Sequence, residues 1–121
     1  MPNGLMLAYL GDAVYELYIR QHLINLNFKD MDTVQKRSLA FVSAKSQRKH
    51  LERLLNNDML SEEEQDYVRQ GRNLHSGKSK SSDIITYRHA TGLEYLIGIL
   101  MYNNNQKRIE EIMNYILVGG D

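Results

Sequence analysis

Apolar positions recur at three- and four-residue spacing through most of the chain, and no segment alternates apolar and polar residues between turn signals as a strand would. The pattern predicts an all-helical protein. A first helix is expected over 5–24 behind Asn3 and Gly4. Asp30 or Asp32 would cap a second running to about Ala40, and Ser43 a third ending near Asn56 and Asn57. Ser61 followed by Glu64 has the form of a capping box, opening a short acidic helix that ends near Gly71. A loop rich in Ser, Gly and Lys follows from Asn73 to Ser82. A long apolar helix over 83–102 comes next, then a turn at 103–105 and a last helix over 106–118 stopped by Gly119 and Gly120.

The two most apolar of these helices both contain acids. In LMLAYLGDAVYELYI, residues 5–19, twelve of fifteen residues are apolar and the only charges are Asp12 and Glu16. In ATGLEYLIGILMY, residues 90–102, nine of thirteen are apolar and Glu94 is the single acid. Helices apolar on nearly every side are expected to be buried. A buried carboxylate then needs a basic partner, a wet cleft or a cation. Glycine costs about 1 kcal/mol inside a helix, so Gly11, Gly92 and Gly98 are expected to mark places where the two helices approach closely. A crossing there brings Asp12 and Glu94 together. Two carboxylates with water and phosphate oxygens suit Mg2+, which keeps several waters of its own. The plainer alternative is that each acid pairs with a basic group elsewhere, such as Arg72 or Arg88.

Composition narrows the classes without choosing among them. The chain has 121 residues, 42% apolar and 25% charged, with one Pro and no Cys. One domain over 1–121 is expected, while disulfide frameworks, thiolate metal sites and cysteine nucleophiles are excluded. No apolar run reaches the roughly 18 residues of a membrane span. The first residues also lack the basic start of a secretory leader, so a cytoplasmic location is expected. His22, His50, His75 and His89 lack metal-ligand spacing and read as surface or packing residues. Tyr9, Tyr15, Tyr18, Tyr87 and Tyr95 sit at core-like spacing and read as packing.

Fifteen bases and fifteen acids cancel only in the sum. Residues 36–53 carry six bases against Glu52, whereas 54–68 carry five acids and no base. Residues 69–88 then carry five bases against Asp83. Two basic blocks of this kind could form a phosphate-binding face, with Lys45, Arg72, Lys78 and Lys80 as the candidate contacts. Solvated helix faces paired with one another would give the same count.

More specific information lies in longer strings. LAYLGDAVYELYIR at 7–20 resembles the signature helix of the ribonuclease III endonuclease domain, and YRHATGLEYLIGIL at 87–100 resembles that family's second acidic helix. VSAKSQ at 42–47, RQGRN at 69–73 and SDIITYRHATG at 82–92 are similar to its Mini-ribonuclease III branch, bacterial enzymes without a double-stranded-RNA-binding domain. The likeness spans nearly the whole chain, with its blocks in family order and spacing. It implies a helical homodimer whose two active sites face a valley for an RNA duplex, with Asp12 and Glu94 catalytic and holding Mg2+. It further implies a double-stranded-RNA-specific endoribonuclease leaving 5′-phosphates, acting on the precursor of 23S ribosomal RNA with help from a large-subunit ribosomal protein. Leu5, Ala8 and Thr91 stand where full-length enzymes carry further acids, a departure shared by the Mini branch. A catalytically inactive RNA-binding or ribosome-assembly module of the same fold is the alternative. A helical protein-interaction domain would explain the apolar helices but not their carboxylates.

Overall fold

Each helix begins where a short polar side chain can accept a hydrogen bond from the backbone three residues on, which satisfies one of the otherwise free N–H groups of a first turn. In the computed structural model, which describes residues 1–74 and 83–119, Asn3 opens α1 (Gly4–Asn25) and Asp30 opens α2 (Met31–Val42). Ser43 opens α3 (Ala44–Asn56), and Ser61 with Glu64 forms the expected capping box of α4 (Glu62–Arg72). Asp83 opens α5 (Ile84–Tyr102) and Asn105 opens α6 (Gln106–Val118). Among the described residues there is no strand. Three connections turn through left-handed residues, Asn27, Asp58 and Asn104, with φ of 56°, 54° and 59°. Asn and Asp tolerate that region best after glycine. Most of the expected loop lies outside the described residues.

The hydrophobic pattern makes α5 the centre of the molecule. Its Leu93, Leu96, Ile97, Ile99 and Leu100 are buried, and α1, α3, α4 and α6 all pack against it. Burial of each such side chain contributes roughly 1.5–3 kcal/mol. Tyr15, Ile19, Leu51, Leu54, Ile112 and Ile116 complete the core from the surrounding helices.

Helix α1 departs from the expectation of burial on every side. Leu7, Val14, Tyr15, Ile19 and Leu23 are buried, but Met6, Tyr9, Leu17 and Ile24 are exposed along the opposite face, with Tyr9 82% exposed. A helix apolar all round needs apolar partners all round, and one chain supplies them on one side only. Tyr9 is therefore not a packing residue within the chain, whereas Tyr15 is fully buried.

Helices α4 and α6 are tied by charge. Glu64 accepts from Arg108 through both carboxylate oxygens, at 2.7 and 2.8 Å, and Arg108 also donates to the Met59 carbonyl. Burial pushes the Glu64 carboxyl up, but the Arg108 hydrogen bond and the Ser61 backbone N–H together bring it below its ordinary value. Among the described residues no helix is long and apolar enough to cross a membrane.

Candidate active site

Helices α1 and α5 cross with their backbones in contact. A Cβ added to Gly11 would lie 1.7 Å from the Glu94 carbonyl oxygen, and one added to Gly98 would lie 1.8 Å from the Leu7 carbonyl oxygen. Only glycine fits at either place. Gly92 serves a different contact than expected. A Cβ there would meet the Val68 carbonyl oxygen and Arg72 Cγ, both at 2.9 Å, so Gly92 and Gly71 seat α4 on α5 instead.

The α1–α5 crossing carries the Asp12 carboxyl to within hydrogen-bonding reach of Glu94. Both acids are pushed up from their ordinary values. For Glu94 burial is the largest cause, the Asp12 charge adds to it and Glu16 contributes last, so that its pKa reaches about 8. For Asp12 burial again leads, and the Glu16 charge acts in the same direction. Burial and the Glu94 charge also raise the Tyr15 phenol, whose hydroxyl donates to the Phe41 carbonyl at 2.7 Å.

Among the described residues neither Asp12 nor Glu94 forms an ion pair, so the expected alternative of pairing with Arg72 or Arg88 does not occur. Glu16 is paired with Arg20 at 3.0 Å on the exposed side of α1. Tyr9, Asp12, Ala13, Glu16, Leu17 and Arg20 line an open depression, which gives solvent and ligands a way to Asp12.

One contributor to the site is not singled out by the sequence pattern. Gln47, in the first turn of α3, is 3% exposed, and its amide reaches the Glu94 carboxyl. Its Oε1 is buried without a hydrogen-bond partner. An orphaned buried acceptor costs about 1–3 kcal/mol. A signal for this residue existed, because positions 47, 50, 51 and 54 form the buried stripe of α3. A glutamine at the head of an apolar stripe is a polar group committed to the interior.

Two adjacent carboxylates with raised pKa values, in no ion pair among the described residues, and a buried amide oxygen without a partner fit a divalent cation. The donors are hard oxygens, which suit Mg2+ or Mn2+ rather than a softer metal. Among the described residues no group of three or more His, Cys, Asp or Glu completes a protein cage. An ion here would therefore keep much of its own water.

The basic candidates fall in separate places. Lys45 is exposed in the first turn of α3, two residues before Gln47, beside a groove lined by Arg48, Lys49, Glu52, Asp83 and Thr86. Arg48 is engaged there, donating to Thr86 at 2.9 Å and to Glu52 at 3.3 Å. Arg72 is half-buried at the end of α4, its stem against Gly92. Lys78 and Lys80 lie outside the described residues. His50 is buried in the core, stacked on Phe41 and hydrogen-bonded to the Ala40 carbonyl.

Comparison with known proteins matches the Ribonuclease III domain family over residues 5–105. The chain is 42% identical over 124 residues to Mini-ribonuclease 3 of Brevibacillus brevis, a match covering 100% of this chain and 91% of that protein. It is 40% identical over 116 residues to Mini-ribonuclease 3 of Enterococcus faecalis, covering 95% and 88%. In three dimensions it is similar to a crystal structure of a Fusobacterium nucleatum protein, with a TM-score of 0.82 and 30% identity over 97% of this chain and 93% of that one.

Proposed function

Because the chain belongs to the ribonuclease III family, in its Mini-ribonuclease 3 branch, we propose that this endoribonuclease cuts double-stranded RNA with Mg2+ held by Asp12 and Glu94. The observation that carries the reading is the pairing of these two half-buried carboxylates with no basic partner among the described residues. A non-catalytic assembly module has no use for two acids that repel each other inside the fold.

Asp12 and Glu94 are the catalytic residues of this reading. Asp12 and Glu94 would hold the cation from facing helices, and Glu94, whose carboxyl is pushed up by burial and by the Asp12 charge, would have to be in its charged form to do so. A bound Mg2+ supplies polarisation of the phosphoryl oxygen and a water acidic enough to act as nucleophile. No histidine base is then needed.

An A-form duplex is read by its shape, through phosphates and 2′-hydroxyls. Lys45, Arg72, Lys78 and Lys80 are assigned phosphate contacts, and residues 1–121 act as one endonuclease domain. The finer parts of the reading rest on the family resemblance: 5′-phosphate products, the 23S ribosomal RNA precursor as substrate, a large-subunit ribosomal protein as helper, and a cytoplasmic location. Incubation with a perfect RNA duplex, the same strand alone and a DNA duplex tests the assignment. Cleavage of the RNA duplex only, abolished by EDTA, is the expected result, and equal cutting of the single strand would overturn duplex specificity.

The exposed face of α1 supports a homodimer. Met6, Tyr9, Leu17 and Ile24 lie on one side of the helix, and water contact with such a stripe is unfavourable. The protein is expected to sediment as a dimer at micromolar concentration. Leu17→Glu should weaken association at least about tenfold, since placing a charge in an apolar contact costs more than the roughly 1.4 kcal/mol that tenfold represents. A wild-type protein that is monomeric under these conditions contradicts the proposal.

Salt dependence tests the basic residues. Removing one phosphate-binding side chain should lower the log–log slope of duplex binding against salt by about 0.9. Binding of duplex with Ca2+ in place of Mg2+, for wild type, Lys45→Ala and Lys78→Ala/Lys80→Ala, reads that slope. A variant with the wild-type slope removes its residues from the RNA interface.

A further inference from the structure

Helix α3 turns two different faces to its surroundings. Gln47, His50, Leu51 and Leu54 face the core, whereas Lys45, Arg48, Lys49 and Glu52 follow at three- and four-residue steps along the outer side. That outer side is one wall of a groove whose other wall is the start of α5, with Asp83 and Thr86. The two acids of the groove are already engaged. Arg48 donates to Glu52 at 3.3 Å, and its guanidinium lies 3.9 Å from the Asp83 carboxylate. Asp83 also accepts from the Thr86 N–H at 3.0 Å and from the Thr86 hydroxyl at 2.5 Å, while the Thr86 oxygen accepts from Arg48 at 2.9 Å. Lys45 and Lys49 are exposed and form no hydrogen bond or ion pair among the described residues. We propose that this groove is a phosphate-binding subsite for the RNA duplex, in which Lys45 and Lys49 hold backbone phosphates beside the bond that Asp12 and Glu94 address.

Charge, local cost and position all support this assignment. Arg48 engages both acids, so the groove keeps two uncompensated ammonium groups one helical turn apart. Lys45 also sits in the first turn of α3, which contains no acid, and the positive end of a helix disfavours a cation there by about 0.3–1 kcal/mol. Stability alone would favour an acid at that place, and a polyanionic ligand offsets the cost. Thr86, Ala90 and Glu94 then form one row of α5 at four-residue steps, which puts the groove about 12 Å from the catalytic acid along the same helix. An RNA strand laid along that row offers a phosphate at every nucleotide, so those a few nucleotides from the cut bond reach the lysines. Arg48 and Thr86 brace the two walls against each other, which gives the lysines a fixed frame. Ammonium groups meet phosphates as point charges and carry no base preference, in line with recognition of a duplex through its backbone.

This inference rests on the chain acting on duplex RNA, and the test separates the two. Fluorescence anisotropy of a labelled RNA duplex, with Ca2+ in place of Mg2+, gives the affinity across salt for wild type, Lys49→Ala, Lys45→Ala/Lys49→Ala and Lys107→Ala. Lys107 is exposed in the first turn of α6, away from the groove, and is the control. Loss of one phosphate contact lowers the log–log slope by about 0.9, which at 0.1 M salt is about eightfold in affinity. The double variant should therefore lose about 1.8 in slope and about 60-fold in affinity, and Lys107→Ala should lose neither. On a duplex whose linkages a few nucleotides from the cut are uncharged methylphosphonates, wild type and the double variant should bind alike. Circular dichroism checks that the helices remain. Wild-type slopes in the folded lysine variants overturn the subsite, and duplex-specific cleavage by wild type then leaves the nuclease reading standing. Equal losses in Lys107→Ala and Lys49→Ala show a general attraction to positive charge and also overturn it. Failure of wild type to bind or cut an RNA duplex overturns both.

Discussion

Asp12→Asn and Glu94→Gln are each expected to lower RNA-duplex cleavage by at least about a thousandfold while leaving the six helices of the described residues in place. Stabilisation of transition-state charge by a metal is worth several kcal/mol, and each 1.36 kcal/mol is tenfold in rate. Each substitution keeps the side-chain volume and removes one of the two charges proposed to hold the ion. The same variants should be more stable than wild type at pH 8 in EDTA. Glu94 titrates near 4.5 in an unfolded chain and near 8 in the fold, with Asp12 also raised. Between those values the folded protein holds a proton that the unfolded chain has released, so stability falls as pH rises through the window. Glu94→Gln removes that titration, and its melting temperature should change less from pH 5 to pH 9. Melting curves in EDTA and a duplex-cleavage assay check both halves. A fully active Asp12→Asn protein removes the mechanism.

Gly98→Ala and Gly11→Ala are expected to destabilise the fold by at least about 3 kcal/mol each, at the upper end of overpacking costs. The obstacle in both cases is a backbone carbonyl, at 1.8 and 1.7 Å from the added carbon. No side-chain rotation can move it, so the helices must separate, and with them Asp12 and Glu94. The loss is a large part of a typical stability of about 5–15 kcal/mol. Gly4→Ala is the control, because the added carbon there meets only the end of the Leu74 side chain. It should change stability by less than about 1 kcal/mol. Urea unfolding of the three variants measures this, and a Gly98→Ala protein as stable as Gly4→Ala contradicts the tight crossing.

Much of this arrangement is legible in the sequence because it is local. Asn3, Asp30, Ser43 and the Ser61–Glu64 box announce helix starts within three residues of themselves, and the helices begin there. The meeting of Asp12 with Glu94 is legible for a different reason: acids and glycines adjacent in two apolar helices leave few other ways to pack. What escapes is decided between segments distant in sequence. Glu64 finds Arg108 forty-four residues away, and nothing in the short acidic helix names that partner. Gly92 sits beside Glu94 in sequence but faces α4, since two positions along a helix turn the side chain through about 200°. Tyr9 has the spacing of a core residue and is exposed, because periodicity shows which faces are apolar and not whether the same chain covers them. Gln47 ends the family-like string VSAKSQ, yet its place at the site depends on an acid on another helix.

The central proposal is that the two carboxylates across the α1–α5 crossing hold the ion that acts on the RNA. Anomalous scattering from Mn2+ in crystals grown with an uncleavable RNA duplex tests it most directly. The predicted result is a manganese peak shared by the Asp12 and Glu94 carboxylates with a backbone phosphate of the duplex beside it. Manganese bound elsewhere, with the phosphates remote from both acids, would contradict it.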